Sequence, residues 1–370
     1  MRVAVLSTFQ EPCGIATYTE DLVRELRALG VEILVLSPHA RKGAAGWGDQ
    51  PRLWNRNRAF GFEAVRTLRA MREFNPDVVH AQINRSLYSS RFLFTLGMLC
   101  QRARLPFVAT LHGKKSGSLG SDFKLWRILY GMRNADLIVH TEAHRKELGR
   151  DRVHVIAHGM HPVRERPMGD ARRTLGLDTA RRVLAHVGFL VPDKGVLEVM
   201  QAVHALHVGG ERDIYYWIAG GAYSSKESQA YFARLEQVRR DLSLEDHVHL
   251  AGGFIEDERL MIELSAADWV FLNYAADTSQ GASGAVRRAL SSGRPVAVSR
   301  APIFDDVREA VHTIGDGPLA PAIAGLFNDQ LAQDARARAL RFCETHSWRN
   351  IARQHVELFN EVLSRKKSVA

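Results

Sequence analysis

The sequence predicts an α/β protein built from two successive doubly wound units, each a parallel sheet with crossover helices. Three observations carry that expectation. Short β-branched or apolar runs alternate with amphipathic helical stretches along the whole chain, the pattern of strand–helix–strand repeats. The alternation breaks over the polar stretch from Arg164 to Arg182 and then restarts. The 370 residues, 46% hydrophobic and 25% charged, give each half enough chain for a core of its own.

In the first half the expected strands are residues 2–7, 31–36, 77–81, 106–111, 136–140 and 153–156. Helical patterns fill the gaps, as in Tyr18 to Leu29, which Gly30 ends. In the second half the expected strands are 183–187, 214–219, 247–251, 268–272 and 295–298, and an amphipathic helix from Trp348 to Leu363 closes the chain. The domains are therefore placed at 1–165, 166–346 and a C-terminal helix over 347–370. The opening run Met1–Ser7 is too short for a signal peptide and reads as the first strand. No apolar run is long enough to span a bilayer. Three cysteines, Cys13, Cys100 and Cys343, lie far apart. Neither a disulfide framework nor a zinc site follows from them, and a reducing cytoplasm fits.

Charge is uneven. Residues 1–165 carry 25 Lys/Arg against 15 Asp/Glu, a balance of +10, and the remainder carries 25 against 26, a balance of −1. The first half attracts anions over long range. No helix-turn-helix, zinc-finger or RNP-type motif accompanies the charge, which sets nucleic acid aside. A phosphorylated acceptor or peripheral contact with the inner, anionic membrane face is expected instead. The local candidate is Lys114-Lys115 with Lys124 and Arg127, interleaved with Phe123, Leu125 and Trp126; it reads equally as a solvated helix.

Open α/β sheets bind ligands at the carboxyl ends of their strands, so with two sheets face to face the cleft between them is the expected site. Three segments there carry chemistry. The loop Ser7–Thr17, with Cys13 and Gly14, feeds a helix N-terminus that can present N–H groups to an anion; a plain connection with Gly14 as a steric necessity is the alternative. Val187-Gly188 through Lys194-Gly195 repeats the strand–glycine loop–helix start, with Lys194 placed for a phosphate; a solvated lysine is the alternative. Asn273-Tyr274 through Asp277–Gly284 leads into the helix Ala285–Leu290, and the small residues Gly281, Ala282, Ser283 and Gly284 permit close approach of a diphosphate. His80, His112 and His158 fall at strand ends and converge on one rim, unless they are packed core histidines. No zinc-ligand spacing, nucleophile elbow or Gly-x-Gly-x-x-Gly turn is present, which argues against a dehydrogenase.

In this order these pieces resemble the retaining GT-B glycosyltransferases of family 4 type, which include bacterial mannosyl- and glucosyltransferases. The resemblance covers nearly the whole chain. It rests on the Gly14 loop, His80, Leu111-His112-Gly113, His158-Gly159, Gly188 with Lys194-Gly195, Gly293-Arg294-Pro295-Val296, and Ser347-Trp348 before the last helix. It implies a GT-B fold, an acceptor on the first domain, a nucleotide-sugar donor on the second, and a last helix that crosses back to the first. Two departures stand out. Aligning Gly293–Val296 puts the family's two glutamates at Gln280 and Arg288, and its arginine beside the phosphate lysine is Phe189 here.

The expected function is transfer of a sugar from a nucleotide-diphosphate sugar to a hydroxyl of a glycan, lipid or small molecule, with retention by resemblance. Lys194 and the Gly281–Gly284 backbone support the leaving diphosphate. His112 binds the sugar, Gln280 faces it, and Arg288 reaches a phosphate or a sugar carboxylate unless it turns into a salt bridge. The phosphate or acceptor loop takes in Cys13, Gly14, His80 and His158. No metal is expected, and no cofactor beyond the nucleotide sugar as co-substrate. The rival readings are a non-catalytic GT-B partner or scaffold in glycan assembly, and a sugar-nucleotide epimerase.

Overall fold

The alternating pattern folds into two parallel sheets, one in each of two units. The computed structural model describes residues 1–11, 13–39, 50–56, 61–84, 87–112, 133–222, 225–250, 252–253, 255–276 and 283–369. Gln280, Gly281 and Ala282 lie outside these residues, as do Pro12, Gly113, Asp277–Ser279 and the basic candidate Lys114-Lys115, Phe123, Lys124, Leu125, Trp126 and Arg127.

The first unit takes in Met1–Gly159 and His346–Ala370. Its strands are β1 (Arg2–Leu6), β2 (Glu32–Pro38), β3 (Arg52–Trp54), β4 (Val78–Ile83), β5 (Phe107–Leu111), β6 (Asp136–Val139) and β7 (Val153–Val155). They pair in the order β3-β2-β1-β4-β5-β6-β7, all parallel. After Arg2, β1 is apolar because both of its faces are covered. Its Ala4 and Leu6 enter the layer formed with α2 (Gly61–Phe74) and α3 (Ser90–Arg102), around Leu68, Met71, Phe92 and Leu96. Its Val3 and Val5 enter the opposite layer, with Tyr18, Leu22 and Leu26 of α1 (Gly14–Ala28).

That second layer is completed from the far end of the sequence. The helix Trp348–Val369 contributes Trp348, Ile351, Ala352, Leu358, Phe359 and Val362, at the spacing of one apolar helical face. Farther along it, Arg365 donates to Asp136 Oδ1 at 2.6 Å, and His154 approaches the same oxygen at 2.7 Å. Burial alone raises the Asp136 pKa, but the hydrogen bonds from His154 and Arg365 outweigh it and hold the carboxyl below its ordinary value.

The second unit takes in Met160–Ser279 and Ser283–Thr345. Its strands β8 (Arg182–Val187), β9 (Ile214–Ala219), β10 (Val248–Leu250), β11 (Trp269–Leu272), β12 (Val296–Val298) and β13 (His312–Thr313) pair in parallel in the order β10-β9-β8-β11-β12-β13. Both sheets reverse their winding beside their first strand, at β1 between β2 and β4 and at β8 between β9 and β11. In open α/β sheets that reversal is where loops part and ligands enter. It falls on the loop after Leu6 in one unit and on the loop after Val187 in the other.

Two strands were not expected from the sequence, β3 and β13, and both are short edge strands. β4 also runs to Ile83, two residues beyond its expected end, so His80 lies inside the strand and not at its end. Among the described residues no helix is long and apolar enough to cross a membrane.

Candidate functional site

In the first unit the loop after β1 is braced at several points. Gln10 takes a left-handed φ of 49° and donates its N–H to Glu20 Oε1 at 2.6 Å. Arg56 donates to both oxygens of Glu11 at 2.6 and 2.8 Å, and Gln50 donates to the Phe9 carbonyl at 2.9 Å. Cys13 enters α1 with extended backbone and no side-chain cap. A Cβ added at Gly14 would meet no described atom within 4 Å, so crowding there does not account for the glycine.

Histidines gather beside this helix. Tyr18 of α1 is the hub: its ring centre lies 4.7 Å from His112, 5.6 Å from His140, 4.9 Å from His158 and 4.9 Å from Trp348. His112 follows β5 directly, anchored by its N–H to the Ile83 carbonyl at 2.9 Å. Its Nε2 meets Gln82 Oε1 at 2.7 Å. Burial and then neighbouring His140 push its pKa well below the ordinary histidine value, so the ring is neutral at pH 7. His158 bonds through Nδ1 to the Gly159 carbonyl at 2.8 Å and lies 5.3 Å from the Trp348 ring. A Cβ at Gly159 would sit 2.2 Å from Trp348 Cδ2, so this glycine is the seat of the indole.

His80 corrects an expectation. It is fully buried in mid-strand, 2.8 Å from Thr110 Oγ1, with its ring against His355 and Phe359 of the last helix. The polar Gln82 hides the true end of β4 in the sequence, which is why His80 reads as terminal. It lies one layer beneath the rim.

In the second unit the loop after β8 is shaped by glycines. Gly188 has φ 131°, and a Cβ there would lie 3.5 Å from Ala285 Cβ. Gly195 has φ 62°, and a Cβ there would fall 1.9 Å from the Asn273 carbonyl oxygen. No L side chain fits such a position. Between them Pro192–Lys194 forms one 3-10 turn ahead of the helix Val196–Val208. The Lys194 side chain is only 18% exposed. Its Nζ rests 3.8 Å from the centre of the Tyr274 ring and 3.6 Å from Asp193 Oδ2. Burial lowers its pKa, with Asp193 opposing. Lys194 is thus an ordered cation held on an aromatic face, and not a solvated surface lysine. Burial also pushes the Tyr274 phenol up to about 12, so it stays protonated.

The helix Gly284–Ser291 begins beside this ring. Ser283 is buried, and its hydroxyl accepts from the Val286 N–H as helix cap. A Cβ at Gly284 would meet no described atom within 4 Å. Arg287 is buried, paired with Asp306 and donating to the Ser283 carbonyl at 3.0 Å. Arg288, expected at the donor or in a salt bridge, is paired with Asp257, which also accepts from Arg164 at 2.7 Å. The carboxylate supplied by the helix Asp257–Ser265 was not visible from the helix sequence of Arg288 alone. Phe189, in the place of the resembled family's arginine, is 53% exposed. Among the described residues no group of three His, Cys, Asp or Glu is arranged to hold a metal.

Residues 12–164 match the family model described as Glycosyltransferase Family 4. That match covers less than half of the chain and lies almost entirely in the first unit. No curated protein matches the chain by sequence. Several solved structures share its fold over nearly its whole length. HepE from Anabaena, solved in complex with UDP, is 18% identical with a TM-score of 0.77, over 98% of this chain and 100% of that one. A glycosyltransferase from Rickettsia africae is 15% identical with a TM-score of 0.76, over 98% of each chain. Sucrose-phosphate synthase from Thermosynechococcus elongatus is 17% identical with a TM-score of 0.71, over 98% of this chain and 99% of that one. The two Rossmann-like units are those of the GT-B fold.

Within the first unit, His112 and His158 share the ring of contacts around Tyr18, with His80 beneath them. Two residues of this chain were missed in the sequence, and Tyr274, which opens the third segment, was given no role there. Tyr18 looks like one apolar position of an amphipathic helix, Tyr274 like the end of a buried strand, and Gln82 like a polar interruption of β4. Each gains meaning only from what the fold sets against it.

Proposed function

We propose that this protein is a glycosyltransferase that moves a sugar from a nucleoside-diphosphate sugar to a hydroxyl of a glycan, a lipid or a small molecule. The anomeric configuration is retained and no metal takes part. The bond from the anomeric carbon to the diphosphate oxygen breaks and the diphosphate leaves with the electron pair. The acceptor oxygen bonds to the same face of that carbon, and its proton passes to a departing phosphate oxygen. The chain's task is to stabilise the charge on the leaving group and to position the sugar.

The observation that carries this reading is Lys194. It is a mostly buried ammonium fixed on Tyr274, at the loop where the second sheet reverses its winding. A cation ordered in advance and shielded from water stabilises developing negative charge without reorganising. The likeness to HepE, solved with UDP and with UDP-glucose, supports a nucleoside diphosphate as the bound group. In the first unit, neutral His112 binds a hydroxyl of a substrate sugar.

The test is a panel of nucleotide sugars in thermal shift, followed by turnover. A true donor at a hundredfold excess over its Kd stabilises by about 2.7 kcal/mol. Lys194→Ala then lowers turnover roughly a hundredfold, with folding intact. Near-normal turnover removes Lys194 from the site. A non-catalytic partner is the second reading, favoured by Gln280 and Arg288 standing where the resembled family has glutamates. It is adopted if calorimetry finds no nucleotide sugar bound.

A further inference from the structure

A line of buried polar side chains runs from the C-terminal helix to His112, all within the first unit. His355, His80, Thr110 and Gln82 are each fully buried. His355 Nδ1 lies 2.8 Å from the Ile351 carbonyl oxygen, which only accepts, so the proton is on Nδ1 and Nε2 carries a lone pair. That Nε2 is buried with no hydrogen-bond partner, and so is His80 Nδ1. The two rings stand 5.4 Å apart, centre to centre. No hydrogen bond joins these two nitrogens; His80 Nε2 faces the Gln82 amide nitrogen, a donor only, at 3.3 Å, which leaves the proton of the neutral ring on Nδ1.

The remaining assignments follow in sequence. His80 Nε2 is then an acceptor, taking the Thr110 hydroxyl at 2.8 Å and the Gln82 amide N–H at 3.3 Å. With its NH₂ turned to His80, Gln82 presents Oε1 to His112 Nε2 at 2.7 Å. An amide oxygen only accepts, so His112 is protonated at Nε2 and its lone pair sits on Nδ1.

We propose that His355, His80 and Gln82 are positioning residues that lock His112 in the Nε2–H tautomer, so that Nδ1 accepts a hydrogen bond from a hydroxyl of a substrate sugar. A carboxylate, or any group without a proton to give, is refused at that point. The ligand part rests on the glycosyltransferase reading above; the lock does not.

The lock is read in the full chain without ligand, by nitrogen-15 NMR of the histidine rings at pH 7, with His112 assigned by its loss in His112→Gln. The expected spectrum has one proton-bearing nitrogen at Nε2 and an unprotonated Nδ1. Gln82→Met, and independently His355→Phe, turns it into averaged signals from both tautomers. A wild-type His112 protonated at Nδ1, or a single unchanged tautomer in both folded variants, overturns the lock. For the ligand, UDP-glucose is expected to shift the Nδ1 signal, and one of its monodeoxyfluoro analogues, lacking the hydroxyl proton at one position, to leave it unmoved. If UDP-glucose itself leaves Nδ1 unmoved, or every analogue acts like UDP-glucose, the hydroxyl assignment falls, whatever the unliganded spectrum shows.

Discussion

Acid should loosen the first unit through His355, and the size of the effect follows from its surroundings. The ring is fully buried between Ile351 and the rings of His80 and Phe359. Burial lowers its pKa from 6.5 to about 4; the Ile351 carbonyl opposes that fall and His140 adds to it. The unfolded chain therefore binds this proton more tightly than the folded one, and the stability is present in full above pH 6.5. It is lost as the pH falls towards the folded pKa. A gap of about 2.5 pH units at about 1.4 kcal/mol each amounts to about 3 kcal/mol between pH 7 and pH 4. The perturbation is His355→Leu, which keeps an apolar volume and removes the titrating group. Urea unfolding followed by circular dichroism at pH 7 and pH 4 should show the wild type losing about 3 kcal/mol more than the variant. Equal acid losses in the two proteins would refute the reasoning, because the ring would then be protonated without leaving its place.

Two further expectations concern single contacts. Tyr274→Leu removes the ring face beneath Lys194 and should weaken nucleotide-sugar binding about tenfold in calorimetry, since a desolvated cation–π contact is worth about 1–2 kcal/mol. Tyr274→Phe keeps the face and should bind as the wild type does, so equal losses in both would assign the effect to the hydroxyl. Gly159→Ala puts a methyl 2.2 Å from the Trp348 indole and should destabilise the first unit by about 1–3 kcal/mol. An unchanged thermal midpoint would mean that the indole is free to move aside.

Much of this was open to reading in the chain. A strand covered on both faces is apolar along most of its length, so β1 and β8 stand out as short runs, each followed by a glycine-bearing loop. β3 and β13 stayed hidden because an edge strand of two or three residues owes its pairing to its neighbour more than to its own side chains. Lys194 was visible as a lysine at a phosphate-binding turn, but its order comes from Tyr274, eighty residues later. Arg288 stayed open between a phosphate and a salt bridge for the converse reason. A helix sequence gives a side chain's position on its own cylinder, and nothing about the carboxylate of Asp257 on another helix. His80 failed on a boundary: one glutamine was enough to make a buried strand look finished.

The layer closed by Trp348, Ile351 and Phe359 joins the two ends of the synthesis timetable. Roughly 190 residues separate Gly159 from Trp348, which at about 5–20 residues per second is about 10–40 seconds of translation. Through that interval Val3, Val5, Val78, Val108 and Ile138 are already made, and the helix that covers them is not. The second unit, continuous but for its loop before Ser283, acquires the last of its own residues at Thr345, ahead of that helix. The half that leaves the ribosome first is therefore the half that finishes folding last, and its sheet face, covered until then by α1 alone, is where a holding chaperone would find the nascent chain.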